Sequence, residues 1–280
     1  MELARPAHDP AVKTTTAPSA RRTEPEPIPA LDADPGGPAS HIAARLGHRR
    51  PSIAYALTAL FGYLLLLGAT IGLGQLLTQV ILPSGSVSAD DERINRWFAS
   101  ERTPGLDDAS QVGSMLGDVP ALPGLVVLAV IVLLWAGRRV LAAAFIATAG
   151  LIELATYRVS SLIVHRDRPN VPRMDDLPVN QSFPSGHVAA SVAVYGALAL
   201  LISSRTNRRW VKILAWSLGM LLPAVVALSR LYRGMHHVTD VAAGVLMGVA
   251  ALLVAVLAAR VCSAVIRRRT ATTTTTQETS

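Results

Sequence analysis

Six long blocks built mostly from Leu, Val, Ala and Ile constrain this chain more than any other feature of it. They run from about Ile53 to Ile81, Val119 to Ala136, Val140 to Val164, His187 to Ile202, Val211 to Leu228 and Val238 to Ile266. Most approach or exceed the ~20 residues a helix needs to cross the hydrocarbon of a bilayer, and the fourth is the shortest. The composition agrees: 51% of residues are hydrophobic and 16% charged, against roughly 25% charged in soluble domains. A segment inside lipid must satisfy its own backbone hydrogen bonds, and no block alternates as a strand would, so helices are expected. The fold class predicted is all-α, a bundle of six transmembrane helices.

Positive charge orients the bundle. Arg45, Arg49 and Arg50 precede the first block; Arg138 and Arg139 separate the second and third; Arg205, Arg208, Arg209 and Lys212 separate the fourth and fifth; Arg267, Arg268 and Arg269 follow the sixth. Six crossings put all four clusters on one side, which the excess of basic residues in cytoplasmic loops makes the inner one. The net charge of +7 is thereby explained by topology rather than by nucleic acid binding. Residues 1–50, with eight prolines in the first 40 positions, read as a disordered cytoplasmic tail. Residues 51–266 form the membrane domain, and 267–280 a second cytoplasmic tail. No short apolar stretch with a small-residue cleavage site opens the chain, so the first block is expected to stay in the protein. Cys262 is the single cysteine, which excludes an intramolecular disulfide and a thiolate metal cluster.

The loop from Leu82 to Asp118 carries seven acids against three arginines, as an outer loop should; its Ile94, Trp97 and Phe98 suggest a short amphipathic helix or a cap over the helix ends. The other two outer connections break the charge rule. Residues 165–186 read HRDRPNVPRMDDLPVNQSFPSG and 229–237 read SRLYRGMHH, and four of the seven histidines, His165, His187, His236 and His237, lie at these two connections. Cationic and imidazole groups gathered at a membrane surface imply an anionic ligand or catalysis. Pro184 to His187 opens the fourth helix, where free amides and the helix dipole favour an anion; Ser185 adds a hydroxyl, Gly186 allows close backbone approach, and Arg168 and Arg230 can clamp phosphoryl oxygens. His236 and Asp240 stand four apart, so on one helix face Asp240 could accept the Nδ1 proton of His236 and leave Nε2 as a nucleophile. His187 could protonate the departing group. Glu153, costly in lipid, is expected to face a partner inside the bundle such as Arg158. His237 is expected at the polar rim.

These three segments resemble the signature of the type 2 phosphatidic acid phosphatase superfamily, K-x6-RP, then PSGH, then SR-x5-H-x3-D. Arg168 and Pro169 end the first motif, Pro184 to His187 complete the second, and Ser229, Arg230, His236 and Asp240 complete the third. The resemblance implies a six-helix bundle with an acid phosphatase/vanadium haloperoxidase-like helical core, a lipid phosphate or diphosphate as substrate, and an extracytoplasmic site needing neither metal nor cofactor. It implies His236 as nucleophile, Asp240 as its orienting partner, His187 as general acid, and Arg168, Ser185, Gly186 and Arg230 as the phosphate cradle. Ser161 stands where the motif has lysine; Arg158, Arg166 and Arg173 are candidates to supply that charge. The alternatives are a transporter of anionic lipids, and a weakened relative that only binds them. A metal site made from His187, His236, His237 and Asp240 lacks a recognised ligand spacing and faces repulsion from the arginines.

Overall fold

The computed structural model describes residues 28–118, 120–137, 139–176 and 181–278. Val119 and Arg138, the amino-terminal tail up to residue 27 and the last two residues lie outside these. Every regular element among the described residues is helical: α1 (Pro38–Leu46), α2 (Pro51–Leu76), α3 (Ser86–Ser100), α4 (Pro104–Met115), α5 (Ala121–Trp135), α6 (Val140–Ile163), α7 (Gly186–Ser204), α8 (Arg209–Tyr232) and α9 (Val238–Glu278).

Five of the six apolar blocks are helices long and apolar enough to span a membrane: α2 with its continuation to Ser84, α6, α7, α8, and α9 through Ala271. Proline at the first position of α2 starts it without sacrificing a hydrogen bond, and its far end tightens and stops at Gly85, where φ is +91°. The short member is α5 rather than the fourth block. Its 15 residues reach about 22 Å at 1.5 Å per residue, less than the ~30 Å of hydrocarbon. Proline at 120 and a positive-φ glycine at 137 close it in from both ends.

Buried α7 is the hub, packing on α6, α8 and α9. Its inward residues are small, among them Ala189, Ala193 and Ala197, and Gly244 and Gly248 of α9 pass so close that a Cβ would fall 2.6 Å from the Ser185 carbonyl oxygen and 2.5 Å from that of Ala189. Small residues four apart let membrane helices approach at the backbone, where packing rather than water exclusion holds them. The exposed large apolar side chains lie on the opposite surfaces: Leu60, Phe61 and Leu64 on α2, Val127, Leu128 and Ile131 on α5, Ile213, Met220 and Leu221 on α8. That belt is the surface a bilayer covers.

Two departures from expectation concern the ends. Residues 28–46, expected within the tail, are ordered. Leu31 is 1% exposed in a cluster with Phe145, Ala197, Leu201 and Ala259; Asp32 accepts from Ser263 and Arg267, and Arg260 donates to the Ala30 carbonyl. Leu31 is the one large buried side chain of this strap; the rest is held by the buried Ala33, Ala39 and Ala43 and by Asp32 and Asp34, residues too small or too polar to give a strong apolar signal. At the other end, the backbone stays helical to Glu278. On the face away from the arginine-rich turns, α3 and α4 form the cap, with Asp91 and Asn95 turned inward and Trp97 exposed.

Candidate active site

Four chain segments meet under that cap: the loop after α6, the start of α7, the end of α8 and the start of α9. They carry Arg168, Ser185 to His187, Arg230, and His236 to Asp240. A cavity of about 550 Å³ opens beside them, lined at its polar end by Arg168, Gly186, His187 and His236 and along its length by apolar residues of α5, α6 and α7.

His236 sits in the turn between α8 and α9. Gly234, with φ +68°, lets the chain leave α8, and α9 begins only at Val238, so His236 and Asp240 do not share a helix face. The expected direct bond is replaced by a longer arrangement. His236 Nδ1 donates to the Ser182 carbonyl at 2.7 Å, while the nearest Asp240 oxygen is 4.0 Å away. Asp240, fully buried, accepts the backbone N–H of His237 at 2.8 Å, a capping contact in the first turn of α9. It also accepts from the Ser182 hydroxyl and from Arg166. Asp240 thus fixes Ser182, whose carbonyl fixes the ring. A carbonyl can only accept, so the proton is on Nδ1 and the Nε2 lone pair is left free. Burial, with Arg230 and Arg168 nearby, holds this imidazole well below its ordinary pKa, against the opposing pull of Asp240.

The same region contains more charge than the sequence suggested. Arg166 is buried and bridges two carboxylates, Nη1 on Asp240 and Nη2 on Asp91 of α3 at 2.7 Å. Asp91 also accepts from the Thr239 backbone and hydroxyl, which ties the cap to the start of α9. His237, expected at a polar rim, is buried, with its ring nitrogens 3.2 Å from Asp240 and 3.2 Å from Glu92. Asp175 bridges Arg230 at 2.7 Å and Arg233 at 2.5 Å; burial raises its pKa, and the two arginines outweigh that and leave it lowered. Asp118, the last acid before α5, lies 3.3 Å from His187 Nε2 and accepts from it. None of Asp91, Asp118, Asp175 or Ser182 follows from motif spacing; the one signal was an excess of acids in the loop before α5.

The phosphate-cradle candidates cluster as expected. Arg168 donates to the Met235 carbonyl, and Ser185 is the residue before the first turn of α7. A Cβ on Gly186 would lie 2.8 Å from the Tyr157 ring, so only glycine lets that ring and the α7 amides share the space. Arg230 is 1% exposed and uses Nη1 on Ser114 and Asp175. Its Nε and Nη2, and the Ser185 hydroxyl, are buried and make no hydrogen bond among the described residues. Buried guanidinium donors left over in this way are what anionic oxygens satisfy.

The place of the missing lysine holds no cation. Ser161 is buried and its hydroxyl turns back to the Arg158 carbonyl at 3.1 Å. Of the three candidate substitutes, Arg166 is committed to Asp91 and Asp240, because two buried carboxylates need its charge more than a substrate does. Arg158 lines the cavity, and Arg173, exposed in the loop, lies close enough for its charge to lower the Arg168 pKa, though burial and Arg230 lower it more. Glu153 forms no ion pair with Arg158. His165 faces the Ile163 carbonyl at the exposed surface. Among the described residues no three His, Cys, Asp or Glu side chains are grouped to hold a metal ion.

Residues 139–263, which include α6 to α9 down to the inner end and every motif residue above, match the family model of the PAP2 superfamily. Over these residues the chain is similar to the PAP2 superfamily. Among curated PAP2-like relatives it is similar to the bacitracin transport permease protein BcrC of Bacillus licheniformis, 34% identical over 85 residues, which is 30% of this chain and 37% of that protein. It is also similar to an undecaprenyl-diphosphatase of Sulfolobus acidocaldarius, 37% identical over 75 residues, 27% of this chain and 32% of that one. The match spans about a third of the length of each. Among solved structures, a transmembrane PAP2-type phosphatidylglycerolphosphate phosphatase from Bacillus subtilis superposes with a TM-score of 0.57 at 22% identity, covering 71% of this chain and 92% of that chain. The PAP2 fold of the multi-pass bundle is therefore established.

Proposed function

We propose that this PAP2-like protein is a lipid phosphatase that hydrolyses a phosphate or diphosphate ester through a phosphohistidine on His236, without a metal or cofactor, at the extracytoplasmic face. The observation that carries this is the free Nε2 of His236, fixed through Ser182, beside the buried Nε and Nη2 of Arg230, which have no hydrogen-bond partner among the described residues, at the mouth of an apolar cavity.

In the first step Nε2 attacks phosphorus and the bond from phosphorus to the lipid oxygen breaks. His187 donates a proton to the leaving oxygen, and Asp118, which accepts from its Nε2, orients the ring. Arg168, Arg230, the Ser185 hydroxyl and the α7 amides at Gly186 hold the equatorial oxygens as their charge grows. In the second step His187, now neutral, takes a proton from water; the water oxygen bonds to phosphorus and the phosphorus–nitrogen bond breaks, releasing phosphate. The apolar cavity leaves the lipid tail in hydrocarbon throughout. Arg158 and Arg173 stand in for the absent lysine charge.

The arginine-rich turns support this side of the membrane, because an excess of basic residues favours the cytoplasm; residues 51–266 would then cross the bilayer between two cytoplasmic segments, with the cap outside. Two measurements test the proposal. Purified protein in detergent releases phosphate from lipid phosphates in the presence of EDTA, and His236→Ala does not. A transporter would move lipid without releasing phosphate, and a binding protein would do neither. In intact cells, a cysteine introduced as Arg173→Cys in a Cys262→Ala background reacts with an impermeant maleimide; protection of it would reverse the orientation.

A further inference from the structure

One residue in the cavity has no role in the reaction above. Glu153 of α6 is 4% exposed, and its carboxyl makes no hydrogen bond or ion pair among the described residues; what surface it keeps lines the cavity that holds Arg168, His187 and His236. An unpaired carboxyl within membrane depth is costly and is retained where a function uses it. Its position is defined by the helix. Tyr157, whose ring abuts Gly186, lies at the level of the phosphate cradle, and Glu153 lies four residues, about 6 Å, deeper on the same face of α6. Below it the wall is apolar: Ala147, Val130 and Val194.

A lipid with its phosphate on Arg168 and Arg230 therefore passes Glu153 a few bonds below phosphorus, before its tail reaches the apolar stretch. In a glycerol-based lipid phosphate that place is filled by ester or hydroxyl oxygens. In an isoprenoid phosphate it is filled by hydrocarbon, which leaves the carboxyl unsatisfied. We infer that Glu153 is a polar subsite that selects glycerol-based lipid phosphates over isoprenoid ones. The inference rests on the phosphatase reading, and the names of the similar proteins point to both lipid classes, so the residue decides between them.

The test compares kcat/KM on dioleoyl phosphatidate and on undecaprenyl monophosphate for the wild type, Glu153→Gln and Glu153→Leu, with thermal unfolding in detergent measured in parallel. Wild type is expected to prefer phosphatidate. Glu153→Leu is expected to lose about tenfold on phosphatidate, the scale of one buried hydrogen bond, to keep or gain activity on the isoprenoid monophosphate, and to unfold at the same or a higher temperature. Glu153→Gln, which keeps the shape and a donor and acceptor, retains most of the phosphatidate activity. Equal losses on both lipids, no loss on either, or a marked fall in unfolding temperature for the leucine variant, which would reveal a structural partner, overturns the selectivity. Phosphate release from neither lipid by the wild type overturns the phosphatase reading and the inference with it.

Discussion

Replacing Arg166 by alanine separates its two possible duties, a phosphate cation or the clasp that joins the cap to the catalytic turn. The side chain contacts Asp91 and Asp240, both buried, from its two guanidinium nitrogens, and donates to Thr239 as well. Removing one partner of a buried ion pair costs about 3–5 kcal/mol because a charge is left uncompensated. Here two carboxylates lose it, but Asp240 keeps His237 and Ser182 and Asp91 keeps Thr239, so the total should stay near that range rather than double it. At roughly 2–4 °C per kcal/mol for a domain of this size, the unfolding temperature should fall by about 6–20 °C. Turnover should fall with it, because Asp240 positions Ser182 and through it His236. Arg166→Lys can reach one carboxylate, not both, and should lie between. Asp91→Asn should cost less than Arg166→Ala, and the double variant Asp91→Asn/Arg166→Ala should cost at least about 1 kcal/mol less than the sum of the two. The assay is thermal unfolding of purified protein in detergent, followed by intrinsic fluorescence, with phosphate release measured on the same samples. An Arg166→Ala protein that unfolds within about 1 °C of the wild type while its KM rises would refute the reasoning and return Arg166 to the phosphate site.

Three further outcomes follow from the site. Because burial and the neighbouring arginines lower the His236 pKa, the neutral nucleophile persists into acid; the acid limb of kcat/KM should therefore lie below the ordinary histidine value of about 6.5, and a limb at or above it contradicts the buried ring. Asp118→Asn should reduce kcat by about 10 to 100-fold with little change in KM, since it supports His187; a pure KM effect argues that it binds the ligand instead. Gly186→Ala must move either the Tyr157 ring or the α7 backbone, costing about 1–3 kcal/mol of stability and most of the activity, and unchanged unfolding and turnover would show that the close approach is not needed.

The membrane architecture was readable because lipid exposure demands long uninterrupted apolar runs, and the outer belts of α2, α5 and α8 are such runs. The three motifs were readable because Arg168, His187, Arg230 and His236 sit at helix ends whose spacing is set by the helices themselves. The failures have local causes. Four-residue spacing from His236 to Asp240 suggested a shared helix face, but Gly234 turns the chain and delays α9 until Val238, so a backbone carbonyl from Ser182 takes the ring. Asp91 comes from α3 and Asp118 from the turn before α5, both distant in sequence from the motifs, while Asp175 shares the loop of Arg168; nothing in their own neighbourhoods distinguishes them from solvated acids. Leu31, Asp32, Asp34 and the buried alanines of α1 anchor the amino-terminal strap, and alanines and acids in a proline-rich stretch form no clear apolar pattern. Glu153 was legible as an anomaly, but a partner was expected where the fold instead provides a cavity.

The central claim is a covalent intermediate on one ring nitrogen, and rapid acid-free quenching of the enzyme with a lipid phosphate labelled in the phosphoryl group tests it directly. The account predicts label transiently bound to the protein, stable to alkali and lost in acid, mapped to the peptide containing His236, and absent from His236→Ala. Label that survives acid, maps to another residue, or persists in the His236→Ala protein contradicts it.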